Sequence, residues 1–276
     1  MNRPIGIIDS GIGGLTVASE IMRQLPKEPI VYIGDSARCP YGPRPVEEVR
    51  AFTWQMIGRL LNEDVKMIVI ACNTATAVVL EEARAQLDIP VVGVIRPGAI
   101  SAIQVSENRH VAVIGTIGTI ASNAYTMALH SIDENVTVES LACPLFVPLV
   151  EQGTIKGPEA EAVVRESLAP LQGAGFDTLI LGCTHYPLLK PVIEACLPGV
   201  TVISSGEETA REVSSLLFYH SMNEQHQAKA THRFYTTGDA NQFKQLAASW
   251  LNIHTGSVAS IYLDGPLPIQ ATMKSK

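Results

Sequence analysis

Residues 65–76, VKMIVIACNTAT, constrain the fold of this chain more than any other stretch. Their first half is almost wholly apolar and mostly β-branched, which is typical of a buried strand, and Cys72 stands where that strand ends. Asn73 and Thr74 follow, and both are favoured residue types at a helix amino terminus. The pattern therefore predicts a strand, a cysteine and a helix in series, at the carboxyl edge of an open α/β sheet, where ligands bind.

The same arrangement returns at residues 176–187, FDTLILGCTHYP, where Cys183 and Thr184 follow a second apolar strand. An internal repeat supports the correspondence, because PIGIIDSGIGG near the amino terminus matches VAVIGTIGTIA in the middle of the chain, with Ser10 opposite Thr116. Alternating strands and helices with short connections predict parallel sheets. We therefore expect an α/β fold of two similar parallel-sheet α/β domains that face each other across a central active-site cleft, with one cysteine on each wall.

Composition excludes several classes of protein. The chain has 276 residues, of which 46% are hydrophobic and 17% charged, so it can form two substantial cores. A net charge of −7 does not indicate a nucleic-acid partner, and no apolar run is long enough to span a membrane. Five irregularly spaced cysteines favour reduced thiols, and no signal-peptide pattern precedes the first strand. These features predict a cytoplasmic protein with no nucleic-acid partner and no membrane partner.

The turn after the first strand, residues 9–14, DSGIGG, is rich in glycine and allows close backbone approach. Its spacing matches neither the G-x-G-x-x-G motif nor a P-loop, so nucleotide binding is not favoured. Asp9 and Ser10 at the carboxyl end of a strand are better interpreted as contacts to a small ligand. The alternative is that Asp9 only caps the turn.

Two segments that contain proline are predicted to be loops. Residues 34–45, GDSARCPYGPRP, are longer than a typical βα connection, which indicates a functional loop. Cys39 lies in it without the strand context of Cys72, and we interpret it as incidental. Residues 143–151, CPLFVPLVE, are predicted to be a second loop, which ends at Glu151.

Two thiols in one cleft are compatible with several chemistries. A redox pair usually occurs as C-x-x-C, a catalytic zinc site could use Cys72, Cys183 and His185, and a nucleophilic mechanism needs only one thiol. Proton transfer uses both, because inverting a stereocentre needs a base on one face of the carbon and an acid on the other. A thiol with a pKa of about 8.5 can act as either. In this interpretation Asp9, His185 and Glu151 are the titratable neighbours of the two cysteines. The alternative without catalysis is a protein of two lobes that binds a small molecule between them.

Four motifs carry a resemblance to a known family. They are residues 9–17, DSGIGGLTV, residues 35–42, DSARCPYG, residues 71–76, ACNTAT, and residues 181–187, LGCTHYP. Over about residues 5–239 the chain resembles the glutamate racemases of the cofactor-independent aspartate/glutamate racemase superfamily. The two cysteine motifs together are the specific part of this match.

The resemblance implies an isomerase that interconverts L- and D-glutamate by two-base transfer of the α-proton. It implies no cofactor and no metal, and a role in supplying D-glutamate for peptidoglycan. The alternative is a related racemase for aspartate or another acidic amino acid, because the motif spacing does not fix the length of the substrate side chain. Glutamate is the implied partner, and a homodimer is a candidate assembly.

The resemblance also implies roles for individual residues. The implied catalytic residues are Cys72, Cys183, Asp9, His185 and Glu151, with the two cysteines as the acid/base pair. The implied substrate contacts are Asp9, Ser10, Tyr41, Gly42, Asn73, Thr74, Thr184 and His185, to which the internal repeat adds Thr116. The implied domains are residues 1–96 with residues 206–276, which carry Cys72, and residues 97–205, which carry Cys183.

Overall fold

Two parallel β-sheets organise the computed structural model, which describes residues 3–224, 230–251, 256 and 258–263. The strands of these residues are β1 Ile5–Asp9, β2 Ile30–Gly34, β3 Met67–Ile70, β4 Val91–Gly93, β5 His110–Gly115, β6 Thr137–Ala142, β7 Thr178–Gly182, β8 Thr201–Ser204, β9 Arg233–Thr236 and β10 Val258–Ser260. The helices are α1 Leu15–Gln24, α2 Val46–Leu61, α3 Asn73–Gln86, α4 Ile95–Val105, α5 Ile117–Ala121, α6 Ala124–Ile132, α7 Phe146–Glu151, α8 Pro158–Leu168, α9 Lys190–Cys196, α10 Gly206–Tyr219 and α11 Ala240–Leu251.

The first sheet combines strands from both ends of the chain, in the order β10-β9-β2-β1-β3-β4, and all of its pairs are parallel. Its central strands β1, β2 and β3 are buried along their whole length, as their continuous apolar sequences predict. One face of the sheet packs on α2 and α3, and the other packs on α1, α10 and α11. The sheet is therefore the middle layer of a three-layer α/β sandwich.

The second sheet has the order β6-β5-β7-β8 and is also parallel throughout. Helices α4 and α6 cover one of its faces, and α7, α8 and α9 cover the other. The predicted α/β fold with two parallel-sheet domains is thus confirmed. In the described part of the chain, no helix is both long enough and apolar enough to cross a membrane.

The carboxyl-terminal part of the chain returns to the first sheet. Strand β9 pairs with β2, and α10 packs along α1. The domain boundaries at residues 96/97 and 205/206 remain a prediction, and residues 264–276 of the predicted first domain lie outside the described residues.

Prolines conceal two helices in the sequence. The prediction of a loop over residues 143–151 is wrong from Phe146 onward, because α7 begins there and Glu151 is its last residue. Pro148 is the third residue of α7, and Pro97 is the third residue of α4. The N–H groups of a helix's first turn have no partner within the helix, so proline at this position removes no hydrogen bond.

In each sheet the register of the parallel strands places the segments that follow them at the same edge. Ile8 of β1 is paired with Ile70 of β3, so the segment that carries Cys72 lies beside the turn that follows β1. In the second sheet Gly115 of β5 is paired with Gly182 of β7, which places the segments after these strands side by side as well. The carboxyl edges of both sheets therefore present polar side chains, with Cys72 at the first edge and Cys183 at the second.

A buried ion pair connects the first sheet to the segment after α10. The Lys66 ammonium contacts the Glu28 carboxylate, and both side chains are buried. Lys66 also donates to the Met222 carbonyl at 2.7 Å, and Glu28 accepts from the Glu224 N–H at 2.7 Å. Both charges are thus compensated by hydrogen bonds as well as by each other.

We predict that Lys66→Met lowers the free energy of unfolding by about 3–5 kcal/mol, because it leaves the Glu28 carboxylate buried without its cation. The midpoint and slope of urea unfolding, followed by circular dichroism, measure this change. Lys190→Met is the matched control, since Lys190 pairs with Glu194 at the surface and such pairs contribute less than about 1 kcal/mol. Equal effects of the two substitutions would contradict the assignment of a structural role to the buried pair.

Candidate active site

A cavity of about 290 Å³ lies between the carboxyl edges of the two sheets. It is lined by Ser10, Cys39, Pro40, Tyr41, Gly42, Cys72, Asn73, Thr74, Thr116, Val147, Cys183, Thr184 and His185. All of the predicted site residues are in this lining except Asp9 and Glu151. The predicted cleft with one cysteine on each wall is therefore present.

Cys72 is the N-cap residue of α3. Its sulfur accepts a hydrogen bond from the Ala75 N–H at 3.4 Å, and its side chain is 5% exposed. Burial and the nearby Asp9 carboxylate raise the pKa of the Cys72 thiol to about 12, although the Ala75 N–H and the Ser10 hydroxyl oppose this shift. Cys72 is therefore a neutral thiol in this arrangement. When it loses its proton, the amino terminus of α3 can stabilise the resulting thiolate.

Cys183 differs from Cys72 in its local structure, which corrects the expectation of two equivalent cysteine environments. A 3₁₀ turn at Tyr186–Leu189 follows Cys183, and α9 begins only at Lys190. Proline is tolerated only in the first turn of a helix, so Pro187 and Pro191 each start a new short element. Cys183 therefore lacks an α-helix amino terminus and has His185 as its neighbour, with 4.0 Å between Sγ and Nδ1.

His185 lies between Cys183 and Glu151. Its Nε2 atom is 2.6 Å from Glu151 Oε1, while its Nδ1 atom faces Cys183 Sγ. Burial opposes a charge on the ring, but the hydrogen bonds and charges of Cys183 and Glu151 outweigh this effect and raise the pKa of His185 to about 10. The ring is therefore an imidazolium at neutral pH, and its positive charge lies beside the Cys183 sulfur.

Asp9 is completely buried behind the cavity wall. Its Oδ2 atom accepts the N–H groups of Gly11 and Gly14, each at 3.0 Å, and its Oδ1 atom accepts the Thr184 hydroxyl at 3.4 Å. Burial raises the pKa of Asp9, while the His185 charge and these hydrogen bonds oppose the increase. The Asp9 carboxylate thus interacts electrostatically with His185, beside Cys183, and with the Cys72 thiol.

The glycine turn lets the two domains approach each other. A Cβ atom on Gly13 would lie 2.5 Å from His185 Nδ1 and 2.6 Å from Thr184 Oγ1, which is closer than real contacts. A Cβ atom on Gly42 would lie 2.5 Å from Thr116 Cβ. A side chain at either glycine would collide with the opposite domain, so both positions allow the close contact between domains.

Hydroxyl groups from both domains form a cluster at one end of the cavity. Thr74 Oγ1 lies 2.9 Å from Thr116 Oγ1 and 3.1 Å from Thr119 Oγ1, and the last two atoms are 3.0 Å apart. Thr119 is buried and was not among the predicted site residues. The sequence feature that indicates Thr119 is its position three residues after Thr116, at the start of α5.

Tyr125 is a second residue that the sequence did not reveal. Its hydroxyl donates to Asn73 Oδ1 at 2.7 Å, and Ser205 forms a hydrogen bond with the same hydroxyl. Since Oδ1 of Asn73 is occupied by this bond, the amide Nδ2 is the group that is free to donate into the cavity. No motif in the sequence of α6 marks Tyr125, because its role depends on a contact between domains.

The loop before α2 is anchored by Asp35. The buried Asp35 carboxylate accepts the Tyr41 hydroxyl, the Arg38 guanidinium at 2.7 Å and the Thr237 hydroxyl at 2.7 Å. These bonds hold the backbone on which Tyr41 and Cys39 reach the cavity. The interpretation of Cys39 as incidental is wrong in one respect, because Cys39 lines the cavity.

The zinc site considered from the sequence is not formed. Within the described residues, one group of three or more His, Cys, Asp or Glu side chains is close enough to hold a metal ion, and it comprises Cys39, Glu151 and His185. Cys72 and Cys183 are not part of it. The two predicted acid/base residues are therefore not arranged as ligands of a common ion.

Comparison with known proteins supports the interpretation of the cavity. The model of the Asp/Glu/hydantoin racemase family matches residues 5–213. The chain belongs to this family.

Several proteins that are similar to this chain are glutamate racemases. The chain is 98% identical to the glutamate racemase of Shouchella clausii over 276 residues, which is the whole of both chains. Its structure is similar to glutamate racemase isoform RacE1 of Bacillus anthracis, with a TM-score of 0.90, 48% identity and coverage of 95% of this chain and 98% of that chain. It is also similar to the glutamate racemase of Francisella tularensis in complex with D-glutamate, with a TM-score of 0.89, 36% identity and the same coverage.

We predict that Glu151→Gln lowers the pKa of His185, because it removes the carboxylate charge that stabilises the imidazolium. Since the folded-state pKa of His185 is raised, its contribution to stability is complete below about pH 6.5 and is lost as the pH rises through about 10. Nitrogen-15 NMR of labelled histidine measures both the titration and its shift. Glu139→Gln, which alters the His110–Glu139 pair, is the control and should leave the His185 titration unchanged. An unchanged His185 titration in Glu151→Gln would contradict the assigned pair.

Proposed function

We propose that this chain is a glutamate racemase that interconverts L- and D-glutamate by two-base transfer of the α-proton. The observation that carries the proposal is that Cys72 and Cys183, from different domains, line one cavity and are each only 5% exposed. The 98% identical relative is a glutamate racemase, which favours glutamate over aspartate as the substrate.

In the proposed reaction one thiolate removes the α-proton from one face of the bound amino acid. The bond between carbon and hydrogen breaks, a sulfur–hydrogen bond forms, and the electron pair stays on the α-carbon. The opposite thiol then donates its proton to the other face, which inverts the configuration and leaves that cysteine as a thiolate. The protonation states of Cys72 and Cys183 are thus exchanged after one turnover, and exchange with solvent restores them.

Different groups surround the two thiols on the opposite walls of the cavity. Cys72 is a neutral thiol and is therefore the acid, because burial and Asp9 raise its pKa to about 12. Cys183 has the charged His185 ring 4.0 Å away, and we assign it the role of base in this direction. Glu151 keeps His185 charged and oriented through the 2.6 Å hydrogen bond at Nε2. In the reverse direction the roles of the two cysteines are exchanged.

Exclusion of water supports the abstraction of a weakly acidic proton. Both thiols are nearly inaccessible to solvent, so charges in the cavity interact more strongly than they would in water. The amino terminus of α3, fourteen residues long, directs unpaired N–H groups at the cavity beside Cys72. These groups suit the α-carboxylate of the substrate and the negative charge that develops at the α-carbon.

Neutral donors hold the substrate in this proposal. The described residues that line the cavity include no lysine or arginine, whereas hydroxyl and amide groups are frequent. The proposed contacts are Asp9, Ser10, Tyr41, Gly42, Asn73, Thr74, Thr116, Thr184 and His185. Of these, Asp9 acts from behind the wall through Thr184, and the others reach the cavity directly.

The proposal includes a cellular role. The enzyme supplies D-glutamate for peptidoglycan, needs no cofactor and acts in the cytoplasm, where its five free cysteines remain reduced. Its partner is glutamate, without nucleic acid or membrane. The assembly we propose is a homodimer, for which the exposed Phe218 and Tyr219 at the end of α10 are candidate contact residues.

We predict that Cys72→Ser and Cys183→Ser each lower kcat for racemisation by at least about 10²–10⁴-fold, the usual contribution of a positioned acid or base. Polarimetry starting from each enantiomer of glutamate, and from aspartate for comparison, measures the effect. Cys143→Ser is the control, because Cys143 is a buried free thiol that does not line the central cavity. Full activity in either Cys72→Ser or Cys183→Ser would overturn the two-base assignment.

We predict that Tyr125→Phe raises KM for glutamate about fivefold with a smaller effect on kcat, because Asn73 loses the hydrogen bond that orients its amide. Steady-state kinetics in both directions separate the two parameters. Tyr262→Phe, at an exposed position, is the control and should change neither. A loss confined to kcat would show that Tyr125 does not act through substrate binding.

A further inference from the structure

A group of three potential metal ligands lies at the edge of the central cavity. One ligand atom from each of Cys39, Glu151 and His185 can be chosen so that all three lie within 4.8 Å of one another. The three residues come from different parts of the fold: the loop before α2, the end of α7 and the segment after β7. Their approach depends on tertiary structure and is not produced by neighbouring positions on one element.

The chemistry of this group fits zinc. Thiolate, imidazole and carboxylate are the three ligand types that Zn²⁺ accepts, with bond lengths of about 2.0–2.3 Å. Ligand atoms around a tetrahedral ion are then about 3.5 Å apart. His185 Nε2 and Glu151 Oε1 would therefore have to move apart from 2.6 Å, whereas the Cys39 sulfur is within 4.8 Å of a ligand atom of each of the other two residues. Harder cations such as Mg²⁺ prefer oxygen ligands and fit this set poorly.

The hydrogen bond between His185 and Glu151 brings two candidate ligand atoms together. Nε2 and Oε1 point at each other across 2.6 Å, with a proton between them. An ion that replaces this proton would bond to both atoms, with the thiolate of Cys39 as a third ligand. Water would complete the coordination.

The group is accessible from a second cavity. That cavity, of about 470 Å³, is lined by Cys39 and Glu151 together with Gly11, Ser36 and Asp239, among others. Cys39 also lines the central cavity with His185, so the group separates the two spaces. Cys39 and Glu151 are half-buried, which leaves a route for a hydrated ion. The carboxylates of Asp9 and Glu151 both act electrostatically on the Cys39 side chain, and they favour a cation there.

We propose that Cys39, Glu151 and His185 form an inhibitory Zn²⁺ site. Binding displaces the Cys39 thiol proton and the proton held between His185 and Glu151, and both are released to solvent. The metal-bound His185 no longer acts as the cation beside Cys183, so zinc stops proton transfer without contacting either acid/base thiol. The inhibition rests on the proposed racemase function, whereas metal binding does not.

Cobalt(II) tests the site directly, because a thiolate bound to Co²⁺ gives a charge-transfer absorption band. We expect wild-type protein, reduced and free of metal, to bind one Co²⁺ with this band and to lose the band when one equivalent of Zn²⁺ is added. Cys39→Ser should lose the band. Its affinity for Zn²⁺ should fall by more than the roughly 10- to 100-fold that is lost when a residue hydrogen-bonded to a ligand is removed. Cys196→Ser is the matched control, since Cys196 is another half-buried free thiol outside the group, and it should behave like wild type.

Racemisation assays give the functional arm of the test. Zinc should inhibit wild type and Cys196→Ser, EDTA should restore activity, and Mg²⁺ should have no effect. Cys39→Ser, compared with its own metal-free rate, should be resistant to the same zinc concentrations. A cobalt band or zinc inhibition that persists unchanged in Cys39→Ser would overturn the proposal and place the ion on other thiols. The absorbance is recorded without substrate, so it stands even if the metal-free protein fails to racemise glutamate.

Discussion

The two sheets approach each other at their carboxyl edges, and the site depends on how closely those edges meet. Contact is possible because Gly13 and Gly42 have no side chain where the opposite domain presents His185 and Thr116. Hydrogen bonds then fix the arrangement, from Thr184 to Asp9 on one side and from Tyr125 to Asn73 on the other. The resulting cavity leaves both thiols only 5% exposed, so charges near them interact more strongly than they would in water.

Each cysteine has a different neighbouring group that can stabilise a thiolate. Cys72 has the amino terminus of α3 and its N–H groups, whereas Cys183 has the charged ring of His185. A reaction that runs in both directions needs each thiol to act as acid and as base, but it does not need the two thiols to be equivalent. The dependence of the second wall on one imidazolium also explains why a cation that captures His185 would stop the reaction.

Much of the fold and the centre of the site could be predicted from the sequence. The apolar strands that end in Cys72 and Cys183 are local signals, and the repeat that pairs Ser10 with Thr116 indicated two facing domains. Contacts between domains could not be predicted in this way, since Tyr125 lies in an ordinary amphipathic helix and Cys39 in a proline-rich loop. Helix α7 was missed because Pro148 looks like a helix breaker unless its place in the first turn is known.

The fate of solvent deuterium tests the central claim most directly. Each enantiomer of glutamate is converted by the wild-type protein in deuterated water to low conversion, and deuterium at the α-carbon is measured in product and in remaining substrate. Two thiols on opposite faces predict deuterium in the product from the start and almost none in the remaining substrate, in both directions. The abstracted proton stays on one sulfur while the other sulfur supplies deuterium from solvent. Equal labelling of substrate and product, or product that retains the original proton, would contradict the account.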